Sequence, residues 1–223
     1  LTVKQVFERI AKTEELSGEL PAELPPEGSL AADTLRFTRG LSRKEVVNKL
    51  MADQKNLVQS IWERRAPDLP INTIEEFVTL ASIVEKETGR ADERPRVAAV
   101  FINRLKKGMR LQSDPTVIYG LFGGDGKPAD RPIYKSDLEK PTPYNTYVIK
   151  GLPPTPIANP GRAALEAVAN PSRTDELYFV ADGTTGGHVF ARTLEEHNEN
   201  VARWRKIERE RAKQAEAARQ QSG

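Results

Sequence analysis

Two acids interrupt the apolar face of one helix-forming segment. On a wheel advancing roughly 100° per residue, the stretch after Thr73 places Ile74, Phe77, Val78, Leu80, Ala81, Ile83 and Val84 on one broad arc. Glu75, Thr79, Ser82 and Lys86 fall on the other. Glu85 lies between Ile74 and Val78, and Glu87 between Leu80 and Ile83, although solvent-side positions were open to both. At about 160° apart around the axis they cannot act as a pair. Each could be a helix-edge carboxylate paired with Arg90, Arg94 or Arg104. Alternatively one lines a cleft. A carboxyl against apolar walls resists ionisation, its pKa rises, and it can donate a proton near neutral pH, as the general acid of glycosidic-bond cleavage does. Glu87 is the better placed, ending its helix just before Gly89 where loops open, but the wheel alone does not separate the two acids.

Two loops carry polar groups suited to a sugar polymer. One is Leu111–Val117, with Gln112, Ser113 and Asp114; the other is Tyr144-Asn145-Thr146-Tyr147, followed by Gly151-Leu152-Pro153-Pro154. Such residues either satisfy the backbone of their own turns or offer hydrogen bonds to hydroxyls and acetamides and aromatic faces to pyranose rings. Asp114 is the candidate for a second carboxylate, if the chemistry uses one. His188, at a strand start, and His197, in a helix, are more often structural hydrogen-bonders than catalysts.

Other chemistries lack their residues. With no cysteine and two histidines, neither thiol catalysis nor a structural zinc site can be assembled, and no metal or cofactor is expected. Gly123-Gly124-Asp125-Gly126-Lys127 fails as a phosphate loop, because Leu121 stands where glycine is required and Pro128 where Ser or Thr is. There is no G-x-S-x-G elbow and no G-x-G-x-x-G. The 34 bases and 32 acids interleave to a net +2, so a pI near 8.8 does not by itself point to nucleic acid. The chain has 223 residues, 38% hydrophobic and 30% charged, which suits one domain or two small ones. Its longest apolar run, Val97–Ile102, is far short of the roughly 20 residues that cross a bilayer. The opening residues lack signal-peptide features, so any targeting segment would lie upstream or never existed.

Helix starts are legible as Ser/Thr-x-x-Glu/Gln boxes. Thr2 with Gln5 opens a helix to about Lys12, Ser42 with Glu45 one to about Arg65, Thr73 with Glu76 one ending at Gly89, and Thr193 with Glu196 the last. A further helix starts at Pro95 and stops at Gly108, and a short one covers Arg162 to Ala169. Residues 108–160 hold nine of the sixteen prolines and no sustained period, so they read as one long irregular segment, ordered by its aromatic and aliphatic content. Leu177–Ala181 and His188–Ala191 read as a hairpin around Asp182–Gly187. The expected class is α+β: a helix-rich domain with a small β-hairpin and long ordered proline-rich loops.

Several motifs recur together in order. They are Ala81-Ser82-Ile83-Val84-Glu85-Lys86-Glu87-Thr88, Val100-Phe101-Ile102-Asn103-Arg104-Leu105, Gly108–Gly120 with its Leu111-Gln112-Ser113-Asp114-Pro115, Tyr144-Asn145-Thr146-Tyr147, Gly151-Leu152-Pro153-Pro154, and Tyr178-Phe179-Val180 with Gly187-His188-Val189-Phe190. From about Pro26 to Asn200 the chain closely resembles the YceG-like family of endolytic murein transglycosylases. The resemblance implies a bacterial cell-envelope lyase that cuts peptidoglycan between N-acetylmuramic acid and N-acetylglucosamine without adding water and leaves a 1,6-anhydro end. It maps the family's catalytic glutamate, acid first and base afterwards, onto Glu87. Gln112, Ser113, Asp114, Tyr144, Asn145, Thr146, Tyr147 and His188 are then the expected substrate contacts.

The resemblance further implies penicillin-binding cell-wall synthases as partners. It also implies a single-pass inner-membrane anchor preceding this chain, which then looks like a soluble fragment on the periplasmic or extracytoplasmic side. Residues 1–27 would be the tail of a LysM-like region, 28–66 a helical connection, 67–202 the catalytic domain and 203–223 a solvated helix. Two positions depart from the family pattern: Leu35 stands where an aromatic is usual, and Thr155 where glycine is common. The competing expectation is a non-catalytic peptidoglycan-binding or scaffolding module in which Glu87 is merely a paired carboxylate.

Overall fold

Hydroxyl caps start four of the helices. In the computed structural model, which describes residues 1–32 and 40–223, the Thr2, Ser42, Thr73 and Thr193 side chains each accept the backbone N–H three residues on. They open α1 (Val3–Ala11), α2 (Arg43–Glu63), α3 (Ile74–Glu87) and α8 (Leu194–Ser222). At Thr2 the Gln5 side chain also reaches back, closing the box. α4 (Arg94–Lys106) carries Pro95 in its first turn, where a missing N–H costs nothing, and α7 is Arg162–Ala169. The departure at Leu35 lies outside the described residues.

Within the stretch expected to be irregular, the structure has α5 (Asp114–Phe122), a short 3-10 turn at Gly123–Asp125 and α6 (Lys135–Leu138). α5 was not visible as a period because Val117, Ile118, Tyr119, Leu121 and Phe122 surround its axis rather than forming a stripe. Gly120 in its middle lowers helix propensity, and the fold requires it: a Cβ there would overlap the Thr142 side chain.

The main core is built by α3, α4 and α7. Phe77, Leu80 and Ile83 of α3 meet Val97 and Phe101 of α4, with Leu165 and Val168 of α7 among them. The small residues Ala164, Ala167 and Ala169 let α7 approach both neighbours closely, and all three are buried. A smaller core joins Val3, Val6, Phe7 and Ile10 of α1 to Leu16, Leu30 and Val46, Val47 and Leu50 of α2. Residues 1–27 and the first half of α2 therefore share one apolar cluster.

β1 (Tyr178–Ala181) and β2 (His188–Ala191) form an antiparallel pair with Phe179 opposite Phe190. Phe179 packs edge-on against Phe101 at 5.7 Å, fixing the hairpin to α4. α8 lies against both strands, and beyond Ile207 it is exposed on every side. No helix among the described residues is long and apolar enough to cross a membrane.

Candidate active site

The two acids of α3 have different surroundings. The Glu85 Oε1 accepts the Gly161 N–H at 2.8 Å, at the start of α7, where Gly161 has no side chain to cap the helix itself. Glu85 thus supplies from a neighbouring helix the anion that an uncapped N-terminus favours. Glu87 faces elsewhere. Its Oε1 accepts a 2.7 Å hydrogen bond from the Ser113 hydroxyl, and none of the three candidate arginines pairs with it. Arg90 is held by Asp92, Arg94 donates to the Gly89 carbonyl, and Arg104 donates to the carbonyls of Leu177 and Arg110.

Ser113 is aimed by a hydroxyl clamp. Its N–H donates to Thr146 Oγ1 at 2.8 Å, its carbonyl accepts from Thr116 Oγ1 at 2.6 Å, and the two threonine hydroxyls are 2.8 Å apart. All three residues are at most 1% exposed, so water does not compete for these bonds. Beside it Gln112 adopts a left-handed backbone (φ +52°), pinned by its N–H to the Thr146 carbonyl at 3.2 Å. A non-glycine residue in that region costs of order 1 kcal/mol and persists only when its surroundings impose it.

Burial is the main cause that pushes the Glu87 carboxyl up to about 7. The Ser113 hydrogen bond works against the rise, and the negative charge of Asp114 adds to it. Glu87 keeps partial exposure at the edge of a cavity of about 290 Å³. Val100, Phe101 and Arg104 of α4, Leu111, Gln112, Asp114 and Tyr147 line it, as do Tyr178, Phe179 and Val180 of β1 and His197 and Val201 of α8. The Tyr147 hydroxyl donates to Asp114 Oδ1 at 2.5 Å. Burial and that acceptor both raise the Tyr147 pKa, so the phenol stays protonated.

Of the residues named from sequence, Glu87, Gln112, Asp114 and Tyr147 line this cavity, and Ser113 bonds Glu87. Asn145 and Thr146 are buried outside the cavity lining, with their polar atoms bonded inside the protein. The Asn145 amide donates to the Leu138 and Lys140 carbonyls and its oxygen accepts from the Tyr147 N–H, so its polar groups shape the loop. Tyr144 bonds the Thr155 hydroxyl at 2.7 Å and packs edge-on against Tyr119, away from the cavity. The departure at Thr155 therefore supplies a hydroxyl that glycine could not. His188 is likewise elsewhere: its backbone N–H and Nδ1 meet the two oxygens of Glu93 at 2.9 and 2.8 Å, tying the hairpin to the start of α4.

Arg104 and His197 line the cavity but were not among the expected contacts. Arg104 had a sequence signal of the same kind as the glutamates, since it lies on the buried face of α4, three residues after Phe101 and four after Val100. No cluster of three or more potential metal ligands occurs among the described residues.

The family model of the YceG-like family matches residues 1–203. The chain belongs to the YceG-like family. This YceG-like chain is 41% identical over 174 residues to an endolytic murein transglycosylase of Bacillus subtilis, covering 78% of the chain and 46% of that protein. It is 32% identical over 205 residues to one of Streptococcus pneumoniae, covering 88% and 36%. The chain thus spans less than half the length of these curated relatives. A crystal structure of a YceG-like protein from Listeria monocytogenes matches with a TM-score of 0.66 at 33% identity, over 88% of this chain and 62% of that one.

Proposed function

We propose that this chain is the catalytic part of an endolytic lytic transglycosylase acting on the glycan strands of peptidoglycan. The carrying observation is the environment of Glu87: a carboxyl raised to about 7, on a partly aromatic cavity, held by one hydroxyl donor and by no cation. Near neutral pH it is divided between acid and carboxylate, which suits a group that must act as each in turn. Because Ser113 occupies Oε1, the proton resides on Oε2 and is donated from there to the oxygen linking N-acetylmuramic acid to N-acetylglucosamine. The C1–O bond breaks as positive charge develops on the sugar ring. The new carboxylate then takes the proton of the muramyl C6 hydroxyl, whose oxygen bonds to C1. No water is consumed, and Glu87 ends protonated as it began.

A lone acid suffices because the nucleophile is tethered to its target, at an effective concentration no bound water matches. Hydrolysis would need a second carboxylate roughly 5–9.5 Å away as nucleophile or base. Asp114, the available candidate, accepts the Tyr147 hydroxyl and acts in this scheme as a charge that raises the Glu87 pKa. The same reading includes a membrane anchor outside this chain and docking to cell-wall synthases.

Digestion of purified sacculi followed by mass spectrometry of the fragments tests the reading. Anhydro-ended muropeptides that vanish with Glu87→Gln support it. Reducing ends would reassign Asp114 as a second catalytic carboxylate, and sacculus binding without cleavage would favour a glycan-binding module.

A further inference from the structure

The cavity has a second wall that the proton shuttle does not use. Arg104 is 7% exposed, yet its guanidinium bonds only carbonyl oxygens: Nε donates to Leu177 and Nη1 to Arg110, each at 2.7 Å. Among the described residues it has no carboxylate partner, and Nη2 makes no hydrogen bond. A buried cation without a counter-charge is costly, and two neutral acceptors compensate it only in part. Next to it His197 stacks on Tyr178, ring centroids 4.8 Å apart, while the Arg104 guanidinium lies 4.9 Å from the centre of the same ring.

The His197 Nδ1 is buried with no hydrogen-bond partner among the described residues. A buried orphan N–H is rarer than an orphan lone pair, which favours placing the ring proton on Nε2. Burial and the Arg104 charge both lower the His197 pKa, keeping the ring neutral. Arg104 Nη2 and His197 Nε2–H thus have no acceptor among the described residues, and both residues line the cavity together with Glu87 and Asp114.

We propose that Arg104 and His197 form a seat for an acyl oxygen of the glycan strand, making the cavity selective for acyl-bearing sugars. The inference rests on the transglycosylase reading for the identity of the strand. Donors without acceptors call for an oxygen carrying partial or full negative charge, and the hydroxyls of an unsubstituted sugar supply less of it. Two groups on the strand have that chemistry: the acetamide carbonyl and the lactyl carbonyl or carboxylate.

The test measures binding to the Glu87→Gln protein, so that turnover does not intervene, with four purified oligosaccharides. These are chitooligosaccharide (acetamide only), its N-deacetylated form (neither group), stem-free murein strands (both) and N-deacetylated murein strands (lactyl only). Strong binding to both acetamide-bearing ligands identifies the acetamide; strong binding to both murein ligands identifies the lactyl group. Added to this background, Arg104→Gln or His197→Phe should weaken binding of acyl-bearing ligands by about tenfold or more and should not weaken that of the acyl-free ligand. His197→Phe retains the stack on Tyr178 and serves if loss of Arg104 impairs folding. Chemical re-acetylation should restore binding lost on deacetylation if the acetamide is the group seated. Equal binding of all four ligands, binding of none, or variant losses that ignore the acyl group would overturn the proposal. Cleavage of sacculi by the unmodified protein is scored separately, so failure of the transglycosylase reading and failure of the acyl seat give different results.

Discussion

Removing the Ser113 hydroxyl should raise the Glu87 pKa, and removing the Asp114 charge should lower it. In the folded protein burial and Asp114 push the carboxyl up to about 7, while the 2.7 Å bond from Ser113 holds it down. A hydrogen bond to a charged group contributes about 1.5–3 kcal/mol. At about 1.36 kcal/mol per unit, Ser113→Ala moves the pKa up by about one to two units. Asp114 is exposed, so solvent weakens its field and Asp114→Asn moves the pKa down by less than about one unit. Carbon-13 NMR titration of the Glu87 carboxyl reads both shifts directly. The alkaline limb of the pH–activity profile should follow, upward for Ser113→Ala and downward for Asp114→Asn, because the first step needs the protonated acid. Shifts in the same direction, or none in variants whose circular dichroism is unchanged, would refute the assignment of these groups.

Glu87→Gln should stabilise the fold above about pH 7, by at most about 3 kcal/mol, in thermal unfolding. The folded carboxyl, raised to about 7, binds its proton more tightly than the unfolded one. The wild type is therefore at its relative best below the ordinary carboxyl range and loses that advantage as pH rises to about 7, so the difference should vanish in acid. Glu85→Ala should cost about 1–2 kcal/mol by uncapping α7, leaving the Glu87 titration in place, as urea denaturation and NMR can show. Thr146→Val should cost about 1–3 kcal/mol and release Ser113. Gly120→Ala should cost about 1–3 kcal/mol through overlap with Thr142, measured as a lowered Tm.

Local signals were enough for most of the helices. Thr2, Ser42, Thr73 and Thr193 each announce a helix by a hydroxyl that the backbone uses, and the Asp182–Gly187 turn separates two short β-rich runs. α5 carries no such signal because its apolar residues surround the axis and leave no contrast between faces, although Ser113-Asp114-Pro115 is a start signal of the usual kind. Glu85 and Glu87 look alike on a wheel. What separates them is the position of the Gly161 N–H and of the Ser113 hydroxyl, set by segments 76 and 26 residues away along the chain. The same limit applies to Asn145 and Thr146, whose polar side chains suit a sugar as well as they suit the carbonyls and amides they serve. Arg104 and His197 meet only because α8 returns across the hairpin, and no pattern within either helix encodes that meeting.

On the proposed mechanism Glu87 breaks the glycosidic bond without recruiting water. Cleavage of sacculi in water enriched in heavy oxygen, with the new chain ends analysed by mass spectrometry, decides whether water enters the product. Anhydro ends carrying no heavy oxygen, and no cleavage by Glu87→Gln, are the predicted result. Heavy oxygen incorporated at C1 of the new ends would contradict it.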